Sequence, residues 1–226
     1  NFRGEDTRKN FLGHLKAALY EKGIETFVDD DQLEKGKSIS PQLLQAIEDS
    51  CCAIVILSPN YASSTWCLDE LVKILDCMKT KGQIVIPIFY HVDPFDVRKQ
   101  TGTFGEAFAN HEQNFEDDME KVKSWKDALA EVSNLAGLDS QSYRDDATFV
   151  SDIVEELSSK VSTLMSSKID KRQSKKKAFI ESRLYPCISA TLTLGRFLCF
   201  FILYIVVFTL FIFKIFIPFF IYLLRE

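Results

Sequence analysis

The chain has 226 residues, of which 46% are hydrophobic, and this is enough apolar material for one sizeable globular core. Its formal net charge of −5 is divided unevenly, because residues 1–165 carry −12 and residues 166–226 carry +7. An acidic globular part argues against a protein that binds nucleic acid through a broad basic face.

Strands and helices alternate along the first half of the chain. Apolar residues at helical spacing predict helices over residues 10–20, 39–48 and 68–78. Short continuous apolar runs predict buried strands over residues 51–57 and 84–90, and residues 24–28 are predicted to be a further buried strand. This order is typical of a doubly wound α/β fold, in which a mostly parallel sheet is covered on both faces.

The carboxylate of Glu70 stands out because it follows a buried strand and lies near the start of a helix. The turn Ser58-Pro59-Asn60 ends the strand, and open α/β sheets build their sites at that carboxyl edge. Glu70 falls off the apolar face of the predicted helix, so we expect it to point toward the crevice. The alternative is an ordinary solvated acid that complements the helix dipole.

The six cysteines show neither a disulfide framework nor metal-site spacing. Cys51 and Cys52 are adjacent within a predicted buried strand, so we expect reduced thiols, an intracellular protein and no bound metal. Cys67 is expected to be a small buried hydrophobe and not a nucleophile.

The C-terminal tail is apolar from Phe197 to Leu224 except for Lys214. Residues 197–224 are therefore predicted to be a transmembrane or membrane-anchoring segment, with residues 166–196 as a basic linker. By the positive-inside rule, the basic residues would hold the acidic domain on the cytoplasmic side. Two alternatives remain open, namely a solvated linker and a tail that arises from translated non-coding sequence.

Four motifs in a fixed order carry a resemblance to a known family. They are Phe2-Arg-Gly-Glu-Asp-Thr-Arg8, Ser58-Pro-Asn-Tyr61, Trp66-Cys-Leu-Asp-Glu-Leu71, and Pro87-Ile-Phe-Tyr-His-Val-Asp-Pro94 followed by Asp96-Val-Arg98. Together they resemble the plant form of the Toll/interleukin-1 receptor (TIR) domain, over residues 1–165.

The resemblance implies a flavodoxin-like α/β fold, a five-stranded parallel sheet with helices on both faces, to which the tail adds a C-terminal hydrophobic helix. Only Phe2 is left of the central first strand, so we expect the chain to be a fragment of a longer protein. The chain contains no P-loop or GxGxxG motif, so it lacks the nucleotide-binding and leucine-rich-repeat modules that usually follow this domain in plant receptors.

In many plant members of the family the domain cleaves NAD⁺, and this activity depends on the glutamate that matches Glu70. The resemblance therefore implies an NAD⁺ nucleosidase in plant immune signalling, with NAD⁺ as substrate and no cofactor. One carboxylate suffices for this chemistry, because nicotinamide leaves as a neutral molecule, whereas ordinary glycoside hydrolysis must protonate its leaving oxygen.

Four further residues are predicted to bind the substrate. Arg3 is placed to pair with the pyrophosphate, and Gly4 permits close approach of the backbone. Ser64 and Trp66 flank the same crevice. For Arg3 the alternative is a structural ion pair with Asp6 or another acid, and for Trp66 it is packing against the core.

Self-association with other TIR domains is the remaining implication. His14 and Gly137 mark two expected association surfaces, but Gly13 and Leu138 depart from the Ser and Trp that relatives often have beside them. The loop 29–37 matches a family loop that helps domains stack. These departures leave a competing hypothesis open, a non-catalytic TIR adaptor that signals through protein–protein contacts alone.

Overall fold

The structure, a computed structural model, describes residues 1–9, 11–28 and 41–223. Within helix 146–223, the side chains of residues 168, 169, 171, 180–199 and 211–223 are outside the described part. The chain divides into two compact units, Asn1–Leu164 and Met165–Glu226, and each is taken by itself.

The first unit contains a parallel sheet. Its strands are β1 (Cys52–Leu57), β2 (Ile84–Phe89) and β3 (Leu138–Asp139), in the order β1-β2-β3. Cys52 pairs with Ile84 at one end of the β1–β2 ladder. On the other side of β1, Phe2 forms a parallel bridge with Ile56, so the chain start extends the sheet.

Eight α-helices are described in the chain. They are α1 (Gly4–Thr7), α2 (Phe11–Glu21), α3 (Pro41–Asp49), α4 (Thr65–Lys81), α5 (Pro94–Lys99), α6 (Gly102–Asn114), α7 (Met119–Val132) and α8 (Asp146–Leu223). Short 3₁₀ turns lie at Tyr61–Ser63, Glu116–Asp118 and Ser140–Ser142. Local sequence sets several of these ends: Asp93 caps α5 ahead of Pro94, and Gly82 ends α4 with a φ of 68°.

The sheet separates two hydrophobic clusters. Val55 and Leu57 of β1 belong to the cluster that includes α3, α4, α6 and α7. Ile56, between them in sequence, belongs to the cluster that includes α2 and the start of α8. This alternation follows from the strand geometry, which points successive side chains to opposite faces. Helices therefore cover both faces of the sheet, as the sequence predicted.

The predicted five-stranded sheet is found only in part. The structure describes three strands and the Phe2 bridge, and residues 24–28, predicted as a strand, have irregular backbone. In the flavodoxin-like strand order, residues 24–28 would pair with the strand that contains Phe2. Phe2 forms a single bridge, and its partner in that bridge is Ile56. Residues 24–28 thus have no ladder to join within the described part. The predicted loop 29–37 lies outside the described residues.

In the second unit, the described backbone is helical up to Leu223. Side chains of residues 200–210 are exposed, Phe200 by 70%. Leu224 and most side chains of the predicted anchor 197–224 lie outside the described part. Within what is described, no helix is long and apolar enough to cross a membrane. The membrane segment 197–224 stays a prediction.

Candidate functional site

Glu70 lies in the second turn of α4, after the carboxyl edge of β1. The helix begins at Thr65, three residues earlier than predicted, because Ser64 caps it: the Cys67 N–H donates to the Ser64 Oγ at 3.3 Å. Glu70 was expected to point into an open crevice, but the structure buries it to 7% exposure. A buried carboxylate requires hydrogen-bond donors, and these come from the chain start.

Asn1 supplies the hydrogen bond that holds Glu70. Its Nδ2 donates one hydrogen bond to the Glu70 Oε2 at 2.7 Å and another to the Cys67 carbonyl at 3.3 Å. The hydroxyl of Tyr61, a fully buried residue, lies between the Asn1 Oδ1 and the Cys67 carbonyl, which is 3.1 Å away. A side-chain network therefore joins the chain start, the turn after β1 and α4.

Burial dominates the electrostatics around Glu70. It raises the pKa of the Tyr61 hydroxyl well above its usual value, and the nearby Cys67 and Glu70 add to the shift. Burial also raises the pKa of the Cys67 thiol to about 11. The Cys67 Sγ lies 3.4 Å from the carbonyl of Phe2, to which it donates. The thiol is neutral at physiological pH, which fits a structural role.

Arg3 and Gly4 lie where Phe2 leaves the sheet and α1 begins. The Arg3 guanidinium pairs with Glu5, so the predicted ion-pair alternative is present with Glu5 and not with Asp6. The Arg3 Nε is buried and has no hydrogen-bond partner among the described residues. A Cβ on Gly4 would lie 3.1 Å from the Arg8 Nε, a tight approach to a flexible side chain.

Asp6 fastens α1 to the turn after β1. Its carboxylate accepts hydrogen bonds from the Ser58 Oγ at 2.6 Å, from the Asn60 backbone N–H at 3.0 Å and from the Asn60 Nδ2 at 3.1 Å. Burial alone would raise the pKa of Asp6, but these hydrogen bonds lower it below its usual value. The first two sequence motifs are therefore in direct contact.

Trp66 is half-buried and packs against the core cluster on the α4 side of the sheet. Its indole therefore contributes to packing while keeping an exposed part. Asp69, the acid beside Glu70, points elsewhere: its Oδ1 accepts from the Trp125 Nε1 at 2.8 Å, and its Oδ2 pairs with Lys121 at 3.2 Å. The two neighbouring acids of the motif thus have separate surroundings.

A surface groove of about 470 Å³ lies between α4 and α7, away from these groups. Its lining carries both charge signs and includes none of the predicted site residues. Within the described part of the chain, no group of three or more His, Cys, Asp and Glu side chains could hold a metal ion.

A family model described as TIR domain matches residues 1–177. The chain belongs to the TIR domain family. Similar proteins include disease resistance protein RPV1 of Vitis rotundifolia, with 56% identity over 61% of this chain, and TMV resistance protein N of Nicotiana glutinosa, with 50% identity over 71%. Probable disease resistance protein RPP1 of Arabidopsis thaliana is 46% identical over 74% of this chain.

This chain matches only 10–14% of the length of those three relatives, so they carry far more sequence than a TIR domain. A similar solved structure is that of the TIR domains of the activated Roq1 resistosome, which directly recognizes the pathogen effector XopQ. It has a TM-score of 0.64 and 50% identity, covering 70% of this chain and 96% of that one. The TIR fold is thereby confirmed.

The two predicted self-association residues of the TIR domain lie apart from Glu70. His14 is exposed on α2, and a Cβ on the neighbouring Gly13 would meet nothing within 4 Å. Gly137 is exposed just before β3, yet a Cβ there would lie 2.4 Å from the Pro87 carbonyl oxygen. Packing against β2 therefore explains this glycine without an interface.

Sequence reasoning missed Asn1 and Tyr61 at the TIR site. Asn1 is separated from Glu70 by 69 positions, and no local pattern links them. Tyr61 ends the motif Ser58-Pro-Asn-Tyr61, which served only to identify the family. Tyr61 directly follows the turn that ends β1. This position could have placed it at the carboxyl edge of the sheet, beside the site.

Proposed function

We propose that this TIR domain protein is an NAD⁺ glycohydrolase acting in plant immune signalling. The observation that carries the proposal is Glu70, a buried carboxylate anchored in the second turn of the helix that follows β1. Its burial supports an electrostatic role, because a charge acts more strongly on a developing charge where water is excluded.

In the proposed reaction, the bond between the ribose anomeric carbon and the nicotinamide nitrogen breaks. The electron pair stays on nitrogen, so neutral nicotinamide leaves and positive charge develops on the ribose. Glu70 stabilises this charge, a contribution of about 3–4 kcal/mol for a well-placed group. Water then adds to the anomeric carbon and loses a proton, which gives ADP-ribose, while attack from within the nucleotide gives a cyclic product.

The remaining pocket residues have proposed roles in binding NAD⁺. Arg3 binds the pyrophosphate by exchanging Glu5 for phosphate oxygens, and its unpartnered Nε supports this. Gly4 lets the nucleotide approach the backbone. The exposed part of Trp66 stacks on a ring of the substrate, and Ser64 borders the site while it caps α4.

Self-association is part of the proposed function. The TIR domains of the Roq1 resistosome belong to an assembly, and this chain shares 50% identity with them. We propose that contacts between TIR domains, through the surfaces of His14 and Gly137, complete the pocket. Activity would then rise steeply with protein concentration.

A membrane location on the cytoplasmic side is a further proposal. It is supported by the apolar composition of residues 197–224 and by the exposed basic residues 175–177 that precede them. Co-flotation of the full chain with phosphatidylserine vesicles is the expected result. A chain that stays at the bottom of the gradient would contradict it.

The test of the activity is nicotinamide release from NAD⁺ by the full chain, at several protein concentrations. We expect Glu70→Ala to lose at least about a hundredfold in kcat, since one electrostatic group is typically worth 10²–10³. Asp69→Asn is the matched control, because this neighbouring acid bonds to Trp125 and Lys121 instead. It should keep most of the activity.

The competing function is that of a non-catalytic adaptor. Gly13 and Leu138 favour it, because they stand where relatives often have Ser and Trp at the two association surfaces. An adaptor would fold and self-associate but release no nicotinamide at any concentration. Release that is equal in the native chain and in Glu70→Ala would also reject the proposed role of Glu70.

A further inference from the structure

Asn1 donates a hydrogen bond to the carboxylate of Glu70 at 2.7 Å, and it lies outside the four sequence motifs. Its backbone is fixed by two bonds to β1: its nitrogen donates to the Ile54 carbonyl at 2.9 Å, and its carbonyl accepts from the Ile56 N–H at 2.9 Å. The side chain therefore projects from backbone that is bonded to the sheet. We propose that Asn1 is a positioning residue for Glu70.

The network fixes the orientation of the Asn1 amide. Nδ2 faces two acceptors, the Glu70 Oε2 at 2.7 Å and the Cys67 carbonyl at 3.3 Å. Oδ1 faces the hydroxyl of Tyr61, which is able to donate. A reversed amide would place its oxygen against a carboxylate and a carbonyl, which is repulsive. Only one orientation satisfies all three neighbours.

Tyr61 supports this orientation from the other side. Its ring is fully buried, and its hydroxyl has the Asn1 Oδ1 and the Cys67 carbonyl as acceptors. Burial raises the pKa of Tyr61, so the hydroxyl keeps its proton and remains a donor at neutral pH. Tyr61 thus supports the orientation of Glu70 through Asn1, whereas Asn1 bonds to the carboxylate directly.

The consequence is a carboxylate held in one rotamer before substrate arrives. A free glutamate has three rotatable side-chain bonds, and part of the binding free energy would be needed to fix them. An anchored Oε2 gives the group a fixed direction toward the ribose. This inference rests on the proposed function, because it concerns the orientation of the group that stabilises the transition state.

The test compares Asn1→Leu with the native full chain. Leucine has nearly the shape of asparagine but donates no hydrogen bond. We expect kcat for nicotinamide release to fall about tenfold, while KM stays within about twofold, because a misdirected carboxylate affects the transition state more than substrate binding. A purely structural role would instead lower the melting temperature and leave kcat of the folded fraction unchanged.

Tyr61→Phe provides a second variant that keeps the buried ring. Alone it should lower kcat by about threefold with KM unchanged. Combined with Asn1→Leu it should cause no further loss, because residues in one network are non-additive. If Asn1→Leu does not fold, Tyr61→Phe carries the test, and native kcat in folded Tyr61→Phe would overturn the inference.

The outcomes separate this inference from the proposed function. Nicotinamide release that requires Glu70 but is unchanged in folded Asn1→Leu would overturn the positioning role alone. Additive losses of kcat in the double variant would also overturn the proposed series of contacts from Tyr61 through Asn1 to Glu70. No Glu70-dependent release from the native chain would overturn the proposed function, and the positioning role with it.

Discussion

At the level of single residues, two exposed glycines of the domain have opposite surroundings. Gly137 lies so close to β2 that a Cβ would be 2.4 Å from the Pro87 carbonyl oxygen and 3.0 Å from the ring of Phe89. Gly13 lies within α2 with no atom near its missing Cβ. Both belong to predicted association surfaces, but only Gly137 has a reason within its own chain to be a glycine.

Gly137→Ala and Gly13→Ala should therefore change stability in opposite directions. The first forces β2 or the chain before β3 to shift, and we expect a loss of about 1–3 kcal/mol in the free energy of unfolding. The second removes a flexible residue from a helix, and we expect a gain of about 0.5–1 kcal/mol. Urea unfolding measures both, and equal changes would show that the close approach at Gly137 is absent.

Ser64 shows how far residue-level reasoning from sequence can go. Its place beside the substrate stays a prediction, whereas its role as the cap of α4 was missed, so the start of the helix was placed at Leu68 instead of Thr65. Serine suits a helix cap and a ligand site equally, because its hydroxyl can accept a hydrogen bond from a helix N–H and can also bond to a ligand. Sequence alone gives no means of separating these two roles.

At the level of secondary structure elements, ion pairs connect α3 to α4. Glu48 accepts from the Nζ of Lys73 at 2.6 Å and from that of Lys81 at 3.0 Å. Hydrogen bonds from these two lysines lower the pKa of Glu48 from 4.5 to about 2. The carboxyl therefore stabilises the folded state where it is ionised, at a pH above its unfolded pKa.

This stabilisation should disappear in acid. As pH falls from about 4.5 to about 2, Glu48 becomes protonated in the folded state too. The native chain then loses the extra stability that it has over Glu48→Gln. Melting temperatures of the two proteins should differ at pH 6 and converge near pH 2. Glu106→Gln on α6 is the control, because Glu106 is exposed and has no ion pair among the described residues. A constant difference across this range would contradict the ion-pair explanation.

The success of the sequence in predicting elements depended on whether the signal was local. The runs 51–57 and 84–90 are continuously apolar, and the structure places β1 and β2 within one residue of them. Residues 24–28 are interrupted by Glu25 and Thr26, and they form no strand in the described part, because a strand also needs a partner. The burial of Glu70 was missed for the same reason, since its cover comes from Asn1.

At the level of the whole molecule, the exposed side of α2 is the surface that the TIR resemblance marks for self-association. His14 and Tyr20 both lie on it, and Tyr20 is 82% exposed. Large exposed aromatic residues are common at the centre of interfaces. This surface is separate from Glu70, so changes on it should alter assembly without changing the contacts of Glu70 within its own chain.

His14→Ala should weaken association of the full chain by roughly fivefold or more, since a residue that matters at an interface typically contributes over 1 kcal/mol. Sedimentation velocity at several concentrations measures this. Lys123→Ala on α7 is the control, because Lys123 is equally exposed and lies on a different element. Identical association of native and His14→Ala chains would exclude α2 as the interface.

The hydrogen bonds of Asn1 couple the stability of the sheet edge to the state of the site. The same residue that forms a ladder with β1 also holds Glu70, so any local unfolding that detaches it releases both. Amide exchange at the Ile56 N–H, which donates to Asn1, therefore reports how often the carboxylate loses its anchor. The fraction of molecules in which Asn1 holds Glu70 is then set by a local opening equilibrium, well before the domain as a whole unfolds.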